Sequence, residues 1–292
     1  MNNKLSGWLL LDKPSGITSA HAVAKVKRLL KPKKIGHAGT LDPLASGILP
    51  LALGEATKTV PYMMDAHKSY IFEVAWGAET ETDDIEGKMT HTSSKRPSKA
   101  ELQAILPQFI GEISQMPPQY SAIKVDGKRA YDLARKGEEV ALKSRKISIN
   151  SLEISEYKPD TTTFVCHCGK GTYVRALARD MGRKLGCYGH ITLLRRIKVG
   201  KFDESQAILL ENLERIVHKD GLGFLQPVTS ALDDIPAVSV TADQAIALRR
   251  GQPVALSLPD TDSVMAAFEG SLLVAVCNVV DGQIRPKRVF NL

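Results

Sequence analysis

The chain has 292 residues, 43% of them hydrophobic and 24% charged, with a net charge of +7 at neutral pH. This is the composition of a folded protein with a sizeable core, long enough for about two domains of roughly 150 residues each, and it excludes a disordered, collagen-like or repeat-built chain. The four cysteines, Cys166, Cys168, Cys187 and Cys277, are too few and too irregularly spaced for a disulfide framework.

The first apolar run, Trp8 to Leu11, stops at Asp12 and Lys13, short of a secretory segment or of the about 20 residues that span a membrane. A cytosolic protein with no membrane contact is expected. The charge is unevenly placed. Residues 1–41 hold eight Lys or Arg against one acid, and residues 166–201 hold nine against one, over an otherwise acidic body. Such clustering fits a polyanion footprint, most often nucleic acid, with a solvated basic surface as the alternative.

In chain order, "GWLLLDKPSGITS" predicts a short strand and a Pro-Ser-Gly turn, with Thr18 or Ser19 capping a helix that buries Val23, Val26 and Leu30 and stops at Pro32. The glycine-rich stretch 34–47 precedes a buried strand, "ILPLAL", and a helical stretch begins at "EATKTVPYMM". "KSYIFEVAWG" alternates as a strand with Tyr70, Phe72, Val74 and Trp76 on one face, and the acidic "AETETDDIEG" turns. Ser98 and Glu101 form a capping-box signature for a helix predicted to end near Gly111.

Residues 116–146, with eight basic and four acidic residues and a weak apolar pattern, predict a mobile excursion outside the core. "KISINSLEISEY" and "TTFVCHC" read as two strands. The next segment, "GKGTYVRALARDMGRKLG", turns helical, with Leu177, Met181 and Leu185 on one face and a basic stripe of Arg175, Arg179 and Arg183 opposite. Turn chemistry near 225–236 precedes a tail of one short helix and several strands, with a hairpin turn at Asp281-Gly282.

Within "GHAGTLDPLASG", Gly36, Gly39 and Gly47 permit close backbone approaches, while Pro43 restricts Asp42. A carboxylate presented on so stiff a loop suits a nucleophile, a general base or a metal ligand, or caps its own turn. The "GHAG" tetrad also fits a KH-type RNA clamp, but a strand follows where that clamp needs a helix; "GKGT" lacks the residues of a phosphate loop. "CHC" at 166–168 invites a zinc reading, but strand alternation points to buried thiols.

The segments "LLLDKPSGITS", "GHAGTLDPLASGILPLALGEATK", "KSYIFEVAWGAETETDDIEG", "PPQYSAIKVDGKRAYDLARKG", "GTYVRALARDMGRKLG" and "LLRRIKVGKF" resemble, in order, those of the bacterial TruB-type tRNA pseudouridine synthases. The resemblance covers about residues 7–205, and the tail is similar to the family's PUA-like C-terminal domain. It implies an α+β fold: a mixed, largely antiparallel central sheet with flanking helices and an RNA-gripping insertion, plus a small C-terminal β-rich domain. The implied domains are 1–230, with the insertion at about 116–146, and 236–292. The implied activity is isomerisation of the T-loop uridine, tRNA position 55, with neither metal nor organic cofactor.

By the same resemblance, Asp42 is the nucleophile and Arg175 the cation beside it. Tyr70 stacks on the flipped base and is a candidate for the proton step at C5, and Tyr173 shares the pocket. His37 fills the space the base leaves, Leu194 lines the pocket, Lys13 and Pro14 support the catalytic loop, and Lys124, Lys128 and Arg129 grip phosphates. Besides tRNA no obligatory partner is implied, and a monomer is expected. Two other classes stay open: a catalytically silent tRNA-binding or tRNA-folding protein on this scaffold, and a metal-dependent RNA hydrolase using Asp42, against which the lack of further acids in its motif counts.

Overall fold

A computed structural model describes residues 5–121, 123–125, 127–134, 141–256 and 263–292, with backbone alone for residues 124, 125, 128, 129, 132, 134 and 220. β1 (Gly7–Lys13) leads into α1 (Ser19–Leu30), capped by the Thr18 hydroxyl, which accepts from the His21 amide. Lys31 closes this helix in the left-handed conformation. β2 (Ile35–His37) and β3 (Ser46–Leu53) flank the glycine-rich loop, followed by α2 (Val60–Asp65) and β4 (Lys68–Trp76).

β5 (Ala78–Thr80) and β6 (Met89–Thr92) pair across the acidic segment. Next, α3 (Lys99–Ile105) starts on the Ser98/Glu101 capping box. It stops at Ile105, short of the expected Gly111: Pro107 brings no amide to the helical ladder, and the chain tightens into a 3₁₀ turn over Leu106–Phe109. Gly111–Gln115 then forms strand β7.

In the insertion, β8 (Lys124–Val125) pairs with β9 (Lys128–Arg129), and α4 (Ala130–Ala134) follows. Its root is packed, contrary to the expected excursion: Ile123 and Ala130 are buried and joined by a backbone hydrogen bond of 2.7 Å. Residues 122, 126 and 135–140 of this stretch lie outside the described residues.

β10 (Arg145–Tyr157) and β11 (Thr161–Cys168) form a hairpin, then come α5 (Val174–Leu185), β12 (Gly189–Val199), β13 (Phe202–Asp203), β14 (Ile208–Leu209) and α6 (Leu213–Asp220). The tail adds β15 (Ala237–Ser239), α7 (Ala242–Arg249), β16 (Val254–Ala255), β17 (Val264–Glu269), β18 (Leu272–Val280) and β19 (Gln283–Val289). Asp281 and Gly282, both at positive φ, turn β18 into β19.

The ten-stranded sheet runs β14-β1-β3-β12-β4-β11-β10-β7, with β2 on β3 and β13 on β12. Only β1–β14 and β3–β12 pair parallel, so the sheet is mixed and largely antiparallel, as expected. The tail forms a second sheet, β15-β17-β18-β19-β16. Both faces of β1 are buried: Leu9 and Leu11 belong to the core that includes α1 and α5, while Trp8 and Leu10 share a second cluster with Val276 of β18 and Phe290 just after β19. Phe72 stacks on Phe164 at 5.3 Å, fixing the β4–β11 register that brings Tyr70 to the same face; truncating such a ring costs about 3–5 kcal/mol.

Candidate active site

The turn between β1 and α1 clasps the loop that carries Asp42. Ser19, buried at the start of α1, bonds both the amide and the carbonyl of Leu41 through its hydroxyl, each at 2.9 Å. The Gly16 amide donates to the Pro43 carbonyl (2.8 Å) and the Ser15 hydroxyl to the Leu44 carbonyl (2.7 Å). Lys13 is fully buried, its ammonium donating to the carbonyls of Pro14 (2.9 Å), Ile17 (2.8 Å) and Pro43 (3.3 Å). Burial pulls it down to about 8, against the pull of the Asp42 carboxylate the other way. Lys13 therefore braces the loop through main-chain carbonyls; Pro14 beside it is exposed.

On the opposite flank stands Arg196, missing from the sequence-derived site. Its Nε donates to the Ile48 carbonyl (2.8 Å) and an Nη to the Gly39 carbonyl (3.0 Å), and it lies directly across the ladder from Tyr70. It also explains two of the three glycines. Gly39 and Gly47 have φ of +97° and +98°, and a Cβ on Gly47 would sit 2.2 Å from the Arg196 carbonyl oxygen. Gly36 has open space around its missing side chain and no such requirement.

The Asp42 side chain is 35% exposed and meets Arg175 Nε at 2.9 Å. Arg175 itself is only 5% exposed and fully engaged: one Nη donates to the Thr82 carbonyl (2.7 Å), the other to the Tyr120 carbonyl (2.9 Å), and Asp84 lies 3.6 Å away. The guanidinium fixes one carboxylate oxygen of Asp42 and leaves the side chain partly exposed. Asp84 and the exposed Glu86 join Asp42 here, so the motif has more acids around it than its sequence suggested. Arg175 stands between the carboxylates, and among the described residues no group of three His, Cys, Asp or Glu is placed to hold a metal ion.

α5 carries Arg175 because its first turn is held from β7: the Gln115 side chain accepts from the Tyr173 amide (2.9 Å) and donates to its carbonyl (3.1 Å). Tyr173 is half-buried, its hydroxyl raised by burial, with Arg145 opposing and Asp42 adding to the shift. Tyr70 is half-buried against the core; burial raises its hydroxyl too, and the facing Arg196 opposes. Leu194 is buried across the ladder from Phe72. His37 ends β2, half-buried, five residues before Asp42. The side chains of Lys124, Lys128 and Arg129 lie outside the described residues.

The basic stripe expected on α5 is only in part a surface: Arg175 and Arg179 are buried, while Arg183 is exposed. Arg179 is buried and paired with Asp83 and Asp180, both at 2.9 Å, and Arg183 makes a bidentate pair with the buried Glu79 at 2.6 and 2.7 Å. The acidic segment 79–84 neutralises the helix from within. Burial pushes Asp83 up to about 6, outweighing the nearby arginines. On β11, Cys166 and Cys168 point into the core while His167 faces the other way, its Nδ1 2.6 Å from the Ser69 hydroxyl, so "CHC" does not converge on one point.

The family model described as TruB family pseudouridylate synthase (N terminal domain) matches residues 27–174, and that described as tRNA pseudouridylate synthase B C-terminal domain matches residues 175–233. The chain belongs to the TruB family of pseudouridylate synthases. It is 53% identical to the tRNA pseudouridine synthase B of Nitrobacter winogradskyi over 98% of this chain and 83% of that one. It is 51% identical to that of Caulobacter vibrioides over 99% and 97%. Among solved structures it is similar to a chain of a Cbf5-Nop10-Gar1 complex, with a TM-score of 0.76 and 26% identity over 100% of this chain and 86% of that one.

Proposed function

We propose that this TruB-family chain isomerises uridine to pseudouridine in tRNA, at the T-loop position 55, with Asp42 as the group that acts on the nucleotide. The observation that carries this is the partly exposed Asp42 carboxylate, held on a clasped loop by the buried Arg175. The reaction breaks the bond from C1′ to N1 and forms one from C1′ to C5, and the proton on C5 departs as N1 gains one, so no redox partner is required. Addition of the carboxylate to the base and its action at the sugar both require it ionised, facing a nucleotide pulled from its stack.

Extrusion of that nucleotide costs a few kcal/mol, which stacking on an aromatic ring offsets in part. Tyr70 is the ring for this role, with Tyr173 at the start of α5 beside it and Leu194 as the wall. His37 enters the gap left in the T loop, and Lys124, Lys128 and Arg129 hold phosphates, which position the RNA without reading sequence. We assign residues 1–230 to the catalytic domain and 236–292 to a PUA-like domain that also meets RNA. The enzyme acts in the cytoplasm, where its substrate is, and as a monomer.

The test is incubation with unmodified tRNA transcript in the presence of a chelator, followed by mapping of pseudouridine. One modified position in the T loop is the expected result. Tight tRNA binding without any pseudouridine would instead support the silent binding or folding protein, and strand cleavage that appears only when a divalent cation replaces the chelator would support the hydrolase.

A further inference from the structure

Arg175 and Arg179 are four residues apart on α5, so they leave the helix on one face, a turn apart. Both reach the same two segments. Arg175 donates to the carbonyls of Thr82 and Tyr120. Arg179 donates to the Asp83 carboxylate and, at 2.7 Å, to the carbonyl of Met116. The guanidinia are parallel rungs between the acidic segment and the root of the insertion.

Asp83 is built for the grip. Its backbone holds φ of +62°, uncommon for a residue with a side chain; its amide donates to Thr80 (3.2 Å) and its carbonyl accepts from Ile191 of β12 (3.1 Å). It lies between Thr82, which accepts from Arg175, and Asp84, the second carboxylate near Arg175. Met116 lies four residues before Tyr120, the other acceptor of Arg175.

We propose that Arg179 and Asp83 are positioning residues for the isomerisation assigned above, locking the insertion root to the acidic segment so that Arg175 stays aimed at Asp42. Neither touches the nucleotide. A guanidinium is planar, so two fixed acceptors on its Nη atoms fix the plane and, with it, the direction of Nε–H toward Asp42. Without the Arg179 rung, the Tyr120 carbonyl is free to drift, and the Asp42 oxygen drifts with the arginine that holds it.

The inference rests on the pseudouridine synthase reading, and its test separates the two. Arg179→Lys keeps a cation but cannot hold both Asp83 and Met116 in one plane. The pair Arg179→Met with Asp83→Asn removes both charges, avoiding the lone buried charge that can unfold a chain. With full-length protein, three quantities are measured: the single-turnover rate on unmodified tRNA, the tRNA Kd, and amide hydrogen exchange at Gln119, Tyr120 and Ser121 without RNA.

The expected result is a rate about tenfold lower for Arg179→Lys and about a hundredfold lower for the pair, on the scale of an about 1 Å misplacement. Kd stays within twofold, and exchange at the three amides quickens. A merely stabilising pair would leave the rate per folded molecule unchanged, and that result overturns the proposal. So does a loss of affinity that accounts for the whole loss of rate. Should wild-type protein make no pseudouridine, the functional reading fails by itself, and the exchange data still judge the clamp: quicker exchange supports it, unchanged exchange overturns it.

Discussion

Two stretches of this chain, residues 1–41 and 166–201, carry nearly the same excess of positive charge and meet opposite fates. On and just after α1, Lys25, Lys27, Arg28, Lys31, Lys33 and Lys34 are exposed. On α5, Arg175 and Arg179 are buried and Arg183 is tied to a buried carboxylate. The difference lies in a third segment, 79–84, whose acids fold under α5. Equal charge therefore stays exposed in one place and, at Arg175 and Arg179, is folded inside in the other, around the carboxylate proposed to act on the nucleotide.

The largest effect that sharpens this contrast belongs to the glycines packed against Arg196. Gly47→Ala should cost about 3 kcal/mol or more, because it adds positive-φ strain to a backbone clash, whereas Gly36→Ala should fall within about 0.5 kcal/mol of wild type. Equal denaturant midpoints for the two variants would show that the loop is not clamped as described.

Next comes the buried cation of the loop. Since Lys13 lies at about 8, below its ordinary 10.5, the folded protein releases that proton first as pH rises. Its three-carbonyl clasp weakens above about pH 8, so single-turnover rate should fall there. Thermal stability should not fall through this group, because deprotonation favours the folded state between the two values. A rate flat to pH 9 would remove Lys13 from the account.

The smallest effect tests the comparison itself. Replacing Lys33 and Lys34 with Gln should reduce the slope of log affinity against log salt by about 0.9 for each phosphate no longer neutralised, while Arg183→Gln should leave it unchanged. The reverse pattern would mean that α5, not the surface after α1, meets the RNA.

Much of this was legible from residue order. The Ser98/Glu101 box, the alternation around Phe72 and the Asp281-Gly282 turn are local rules, and the structure follows them. Asp42 and Arg175 were found through the family's segments, 133 residues apart in the chain, and the structure puts them in contact. Asp83, Asp84 and Arg179 were missed because a buried ion pair and a solvated charge look alike in sequence; the matching run of acids in "ETETDDIEG" was the available signal. Arg196 was missed for another reason. Strand alternation forces one of Arg195 and Arg196 inward, but β12 is irregular on both sides of the pair, so the period alone could not choose.

Asp42→Asn is the most direct test, because it keeps the side chain's shape and one oxygen while removing the charge. Measured at saturating concentration on unmodified tRNA, pseudouridine formation should become undetectable while tRNA affinity stays within about twofold. Turnover that survives the substitution, or affinity that collapses with it, would contradict the role given to this carboxylate.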